Sequence, residues 1–215
     1  MASFRSAVRL FGCALALLLL AAPAANAGLL SGVLPGLVSP SDTPTTCNTT
    51  VSQPFARWGD TSNYVLVPGG NFEKGTTGWG LSGGAGVVNG NEPFYVGARS
   101  DNHSLALPAG SSAMTPPMCF APGDMKLRFF GVSTGSSSSY LQVKVVVKSA
   151  LGLLSVLDGG QMPTNSVWVP SPKLRLLLTN LTSLVSTDSV SFRFVPAGSA
   201  SWRIDDVYLD PFKDG

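Results

Sequence analysis

Asp205 and Asp206 are adjacent carboxylates inside a run, Trp202-Arg203-Ile204-Asp205-Asp206-Val207-Tyr208-Leu209-Asp210, that otherwise alternates like a half-buried β-strand. Clustered carboxylates with nearby carbonyls are the oxygen set a hard cation such as Ca²⁺ takes. A strand end with solvated charges shows the same residues, and the pair alone does not separate the two readings. A second candidate is Gly131-Val132-Ser133-Thr134-Gly135, which has the spacing of a nucleophile elbow. That motif needs a strand, a sharp turn and a helix, with acid and histidine following the serine. Here Ser136–Ser139 and another strand pattern follow, and the sole histidine, His103, lies upstream. The stretch reads as a Ser/Gly-rich hairpin loop. A glycosidase needs two positioned carboxylates, but glutamate occurs only at 73 and 92, and Glu92 has no partner nearby in sequence. Once the N-terminal Cys13 is set aside with the signal read below, one histidine and two cysteines leave no zinc set, and no phosphate loop or dinucleotide fingerprint is present. The residues favour binding over catalysis.

The strand carrying the two acids has a phase slip. Trp202 and Ile204 share one parity, Val207 and Leu209 the other. Side chains alternate faces along a strand, so both pairs reach one core only if an extra residue is inserted between them. That insertion is a β-bulge at Asp205–Asp206. Upstream, short runs punctuated by Gly, Ser, Pro and Asn predict strands at Tyr64–Val67, Gly86–Val88, Phe94–Val96, Ser104–Leu107, Lys126–Val132, Tyr140–Lys148, Leu153–Leu157, Ser166–Val169, Leu174–Leu178, Val190–Val195 and Trp202–Leu209. Leu174–Leu184 fits a helical turn as well as a strand. Leu127 and Phe129, then Leu141, Val143, Val145 and Val147, then Val190, Phe192 and Phe194 form the inward sets. Phe55 and Trp58 are expected to pack over the sandwich edge, and Trp79 and Trp202 between the sheets. The fold class is all-β, a two-sheet antiparallel sandwich.

Residues 1–27 read as a secretory signal: Arg5 and Arg9, an apolar run from Cys13 to Ala22, and Ala25-Asn26-Ala27 at the cleavage point. Gly28–Thr46 reads as a flexible leader, and 47–215 as one domain. The basic excess of +2 resides in Arg5 and Arg9, so cleavage leaves 12 basic against 12 acidic residues. That balance argues against a nucleic-acid partner, and no other segment is long and apolar enough for a membrane helix. Cleavage also leaves two cysteines, Cys47 and Cys119. An even pair in an exported chain reads as a disulfide, closing a loop of about 70 residues worth roughly 4 kcal/mol. The outward phase of the middle strands carries Lys126, Arg128, Lys144, Lys148, Lys173, Arg175, Arg193 and Arg203, with Phe130, Tyr140 and Gln142 interleaved. Aromatic faces stack on sugar rings, and guanidinium and amide groups bind hydroxyls or carboxylates. Arg128, Phe130, Tyr140, Gln142 and Lys144 are therefore the expected ligand groove, with ordinary polar-out alternation as the alternative.

Gly69-Gly70-Asn71-Phe72-Glu73 with Gly75-Thr76-Thr77-Gly78-Trp79, then His103–Leu107, then Ile204-Asp205-Asp206-Val207, occur in the order found in galactose-binding-like jelly-roll modules. The chain from Cys47 onward resembles these modules, which include carbohydrate-binding modules of bacterial glycosidases, and a group of secreted actinobacterial proteins of that fold. The resemblance implies that the first and last strands meet, with Phe72 beside Ile204, and share a structural Ca²⁺ held by Glu73 and Asp206, with Asp205 as a further candidate ligand and a backbone carbonyl near Asn71 in support. A Glu73 ion pair with a nearby Lys or Arg is the alternative. It also implies a secreted, monomeric, non-catalytic module for an extracellular polysaccharide. A structural or protein-interaction domain on the same fold is the other class.

Overall fold

Period-two alternation along the middle of the chain builds two antiparallel sheets packed face to face. The computed structural model describes residues 50–118, 124–135, 137–149, 152–177 and 189–210. The expected signal, the leader, Cys47, Cys119 and the segment from Leu178 to Leu184 lie outside these residues. The strands are β1 (Val51–Ser52), β2 (Tyr64–Leu66), β3 (Gly80–Ser82), β4 (Gly86–Asn89), β5 (His103–Leu107), β6 (Ser112–Met114), β7 (Asp124–Thr134), β8 (Tyr140–Lys148), β9 (Leu154–Pro163), β10 (Val169–Pro170), β11 (Leu174–Leu177), β12 (Ser189–Ala197) and β13 (Ser201–Asp210). Among the described residues the one helical element is a 3₁₀ turn at Ala56–Trp58. The fold is the expected all-β antiparallel sandwich.

Strand β13 is the spine of the larger sheet. β7 runs along one edge of it. β5 and β2 share the other edge, β5 against Trp202–Ile204 and β2 against Tyr208–Leu209. β4 extends β5, β1 extends β2, and β10 and β11 line the far edge of β7. The second sheet runs β3-β6-β12-β8-β9. Between the sheets lie the inward sets read from the sequence, with Phe129, Leu141, Val143, Phe192 and Phe194 fully buried and Trp79 and Trp202 among them. Each such side chain contributes about 1.5–3 kcal/mol through burial. Trp79 also donates from Nε1–H to the Pro68 carbonyl at 2.9 Å.

The bulge lies where the phase slip places it. Asp205 pairs with Phe130 and Tyr208 with Arg128, three steps on β13 against two on β7. Asp206 takes up the extra residue with φ +47. The first and last strands meet there: Val67 N–H donates to the Val207 carbonyl at 2.9 Å, and Val207 N–H to the Gly70 carbonyl at 3.0 Å. Gly70 is required by this approach, because a Cβ would sit 2.8 Å from Val207 O and 2.9 Å from Val67 O. Phe72 itself is not a strand residue zipped to Ile204. It occupies a turn at φ +56 and is buried against Trp79, ring centroids 5.0 Å apart. Phe94–Val96 is likewise a loop and not a strand. The sequence reading lacked β1, β3 and β6, which are two or three residues long.

The outer face of the larger sheet is partly roofed. Phe55 stacks on Phe130 at 5.2 Å and meets Tyr64 and Tyr208 edge-on, and Trp58 meets Phe130 at 5.2 Å. Arg128 lies beneath, its guanidinium 4.3 Å from the Phe55 ring centre. It donates to Asp60 Oδ2 at 2.8 Å and to the Ser171 carbonyl at 3.2 and 2.8 Å. Tyr64 Oη–H, Lys173 Nζ and the Ser62 N–H complete the Asp60 set. Burial alone raises the Asp60 pKa, but the bonds from Lys173, Tyr64 and Arg128 outweigh it and hold the group well below its ordinary value. Asp60→Ala should cost about 3–5 kcal/mol, because it strands a buried guanidinium. The drop in the urea midpoint measures it, and a loss under 1 kcal/mol would show that the roof is dispensable.

Candidate functional site

The gap between β2 and β5 on the edge of β13 is filled by the loop 90–102, and that loop folds around carboxylates. Glu92, fully buried, sends its N–H to Asp205 Oδ2 at 3.1 Å. Its own Oε1 accepts from Val96 N–H at 2.8 Å, and Oε2 from Phe94 N–H. Asp101 Oδ2 accepts from Ala98 N–H at 2.8 Å. Asp205 Oδ1 accepts from Asp206 N–H at 2.8 Å. Asp206 is 1% exposed, and among the described residues neither of its carboxylate oxygens has a hydrogen-bond partner. A Cβ on Gly97 would lie 2.6 Å from Asp101 Oδ2 and 3.3 Å from Asp206 Oδ1, so a side chain there would enter the space these acids face.

The electrostatics follow from burial. Burial and then the neighbouring Asp206 charge push Asp205 up to about 9. Burial and then the charges of Glu92 and Asp101 push Asp206 up to about 8. Glu73 behaves otherwise: burial raises it, but His103 Nδ1 at 3.0 Å and the N–H groups of Asn102 and His103 at 2.8 and 2.7 Å lower it overall. Of the three expected metal ligands, Asp206 alone has bare oxygens. Asp205 is turned to backbone N–H groups, and Glu73 is engaged by a histidine, where the alternative expected Lys or Arg. Glu92 and Asp101 are the residues sequence reasoning missed. Glu92 lies 113 positions from Asp205, in a stretch whose Gly, Asn and Pro signal a solvated turn. Among the described residues no three His, Cys, Asp or Glu side chains already stand at metal-ligating distance.

The five expected ligand residues do not share a face. Arg128 and Phe130 belong to β7 of the larger sheet and are buried under the Phe55 roof. Tyr140, Gln142 and Lys144 belong to β8 of the second sheet. Gln142 Nε2 is spent on Asp158 Oδ1 at 2.7 Å and on the Gly160 and Val143 carbonyls, bracing the β8–β9 irregularity. The outward cations divide the same way, with Lys144, Lys148 and Arg193 on the second sheet, Lys126, Arg128, Arg175 and Arg203 on the larger one, and Lys173 in the segment between β10 and β11. They do not form one cationic surface. Ser133 of the elbow-like motif bonds Asn165 and faces no histidine.

An open strip does remain on the outer face of the larger sheet, beside the roof. Arg203 pairs with Val132 and Ala106 and points outward with them, since Trp202 and Ile204 point in. Its guanidinium is fixed by Asn89 O, Gly90 O and Ser104 Oγ and stands 5.7 Å from the Trp168 ring. Trp58, Phe94 and Trp168 are half-buried against the Phe130 cluster, and Tyr95 is 49% exposed.

The fold is that of carbohydrate-binding modules. The CBM22-1–GH10 modules of Clostridium thermocellum xylanase 10B, complexed with xylohexaose, superpose with TM-score 0.50 at 12% identity over 68% of this chain and 28% of that one. The CBM22-1 xylan-binding domain of Paenibacillus barcinonensis Xyn10C gives 0.48 at 16% identity, over 72% and 97% of the two chains. TmCBM61 in complex with β-1,4-galactotriose gives 0.40 at 15%, over 69% and 98%. At these identities the likeness speaks to the fold alone. No known family's sequence profile matches the chain, and no curated protein does.

The raised acids set a sign. The folded chain keeps protons that the unfolded chain, with ordinary carboxylates near 3.9, releases. In cation-free buffer stability should therefore fall as pH rises from about 4 toward 8–9, by up to about 1.4 kcal/mol per pH unit for each proton retained. Urea midpoints at pH 5, 7 and 9 read this, and Asp206→Asn should flatten the slope. A flat or rising wild-type profile would show that the carboxyls are not held protonated.

Proposed function

We propose that this chain is a secreted, monomeric, non-catalytic module that binds polysaccharide on the outer face of the larger sheet. The observation that carries the reading is the strip just described: part-exposed Trp168 and Tyr95, with Arg203 locked beside Trp168 over small outward residues. Aromatic faces cover the apolar side of a sugar ring, and a fixed guanidinium supplies oriented donors to its hydroxyls. The xylohexaose bound by the xylanase 10B modules accords with such a ligand. The strip replaces the groove expected around Arg128 and Tyr140. A second reading, a protein-contact domain, is favoured by Leu153, Leu154 and Val156, which are exposed on and beside β9.

A Ca²⁺ belongs to the same proposal. Bare, buried Asp206 oxygens beside Glu92 and Asp101 fit a hard cation, with backbone carbonyls completing the set. Asp206, Glu92 and Asp101 would hold it. Bound there, the cation would neutralise the acids and fasten the loop 90–102 to β13.

Two measurements bear on this. Glycan-array or affinity-electrophoresis binding should weaken by about 2 kcal/mol, roughly thirtyfold, in Trp168→Ala. Equal binding by that variant, or no binding by the wild type, removes the strip as a sugar site. Separately, Ca²⁺ at about a hundredfold over its Kd should raise the melting temperature at pH 8 on the order of 5–10 °C. A chelator should reverse the rise, and Asp206→Asn should abolish it. An unchanged melting temperature dismisses the metal.

A further inference from the structure

The loop 90–102 has two chemically opposite sides. Its carboxylates, Glu92 and Asp101, turn inward and are 0% and 9% exposed. Its outer side carries Phe94, Tyr95 and Arg99, which line a half-open cavity of about 390 Å³. That volume lies within the range of small-ligand sites. Arg57, from the 3₁₀ turn, stands over the same Phe94, 5.2 Å from its ring centre and 5.1 Å from that of Trp58. Both arginines are exposed, and among the described residues neither has an ion pair or a hydrogen bond. Of the other guanidinium groups nearby, Arg128 is buried on Asp60 and the Ser171 carbonyl, and Arg203 is fixed through Nε and Nη2 on Ser104 and two carbonyls, which leaves its Nη1 for a ligand. Tyr95 is presented with φ +51, a conformation that non-glycine residues adopt at a cost and that is concentrated at ligand sites.

We infer that this cavity takes the carboxylate-bearing ring of an acidic polysaccharide, a uronic acid residue. The inference rests on the carbohydrate-binding reading and names the sugar class. The ring's apolar face lies on Tyr95 and Phe94, and the Arg99 fork takes the carboxylate through two parallel N–H donors. The positive charge of Arg57 adds to the local field. A neutral sugar satisfies neither unpaired arginine, which is the physical basis for discrimination. The acids of the same loop do not compete for Arg99, because they are buried on its other side and bonded to backbone N–H groups.

The test is binding of the mature chain to polygalacturonate, to its methyl ester, to dextran sulfate and to neutral xylan, by affinity electrophoresis and calorimetry. Polygalacturonate should bind at least tenfold more tightly than its methyl ester, which keeps the ring and loses the charge. Arg99→Gln should cost about tenfold on polygalacturonate alone, and Arg99→Lys, which keeps the charge without the fork, should recover only part of it. Arg99 is exposed, so an unchanged melting temperature confirms that both variants fold. Xylan bound through Trp168 with no preference for polygalacturonate over its ester overturns the uronate assignment and leaves the sugar-binding strip standing. Dextran sulfate bound as tightly as polygalacturonate overturns it too, as non-specific anion attraction. Binding of none of the four sinks both.

Discussion

One inserted residue in β13 organises this molecule. Without the bulge at Asp205–Asp206, either Trp202 and Ile204 or Val207 and Leu209 would face solvent. Two buried apolar side chains outweigh a disrupted ladder rung, so the bulge is the cheaper solution. Its consequences reach outward in order. The edge of β13 is interrupted, so β5 ends where β2 begins, and a gap opens between them. Two acids are left in that gap, and the loop 90–102 closes it, with Glu92 N–H on Asp205. Among the described residues the non-glycine positions at positive φ are Phe72, Tyr95 and Asp206, in or beside the segments that meet at this junction. The strain is stored where the chain changes partner, not spread through the sheets.

How much of this was legible follows from the range of each signal. β8 was readable in its bounds, because apolar and polar positions alternate along it except at Val146, which is apolar on the outward phase and buried against Met114. The bulge was readable because a phase slip is itself a local pattern. β3 and β6 were not, since three residues carry too little periodicity to register. The site was the least legible part. Alternation correctly turned Arg128 and Phe130 away from the core but said nothing of what would cover them. The cover comes from Phe55, Trp58 and Asp60, about 70 positions upstream, and an outward residue became a buried one. Alternation also could not tell that β7 and β8, neighbours in sequence, would lie in different sheets, and that separation divides Arg128 from Tyr140.

The roof shows why outward-facing and exposed are different properties. An Arg–Asp pair beneath aromatic rings forfeits hydration on both partners, and such a pair holds only when its remaining donors and acceptors are met. Here they are: Ser171 O accepts twice from Arg128, while Tyr64, Lys173 and Ser62 N–H donate to Asp60. The pair fixes the segment 55–60 on the sheet and closes that half of the face. What stays accessible is the adjoining strip toward β4 and β10, where the outward residues are small and the aromatic rings come from loops.

The loop 90–102 ties these features together. It makes no strand of its own, so its shape rests on what its backbone N–H groups find. Three of them find carboxylates of the same loop, at Phe94, Val96 and Ala98. Inward carboxylates thus serve as the loop's internal scaffold, and this leaves its aromatic and guanidinium groups to face outward. The arrangement carries a condition. Four acids close together in a buried gap lose hydration and repel one another, and burial first and that repulsion second raise the pKa values of Asp205 and Asp206. Retained protons relieve the repulsion, and the proposed Ca²⁺ would take over that role as pH rises above the carboxyl pKa values. The geometry of Phe94, Tyr95 and Arg99 is therefore coupled to the charge state beneath it, so the outer surface is only as well ordered as the inner centre is neutral.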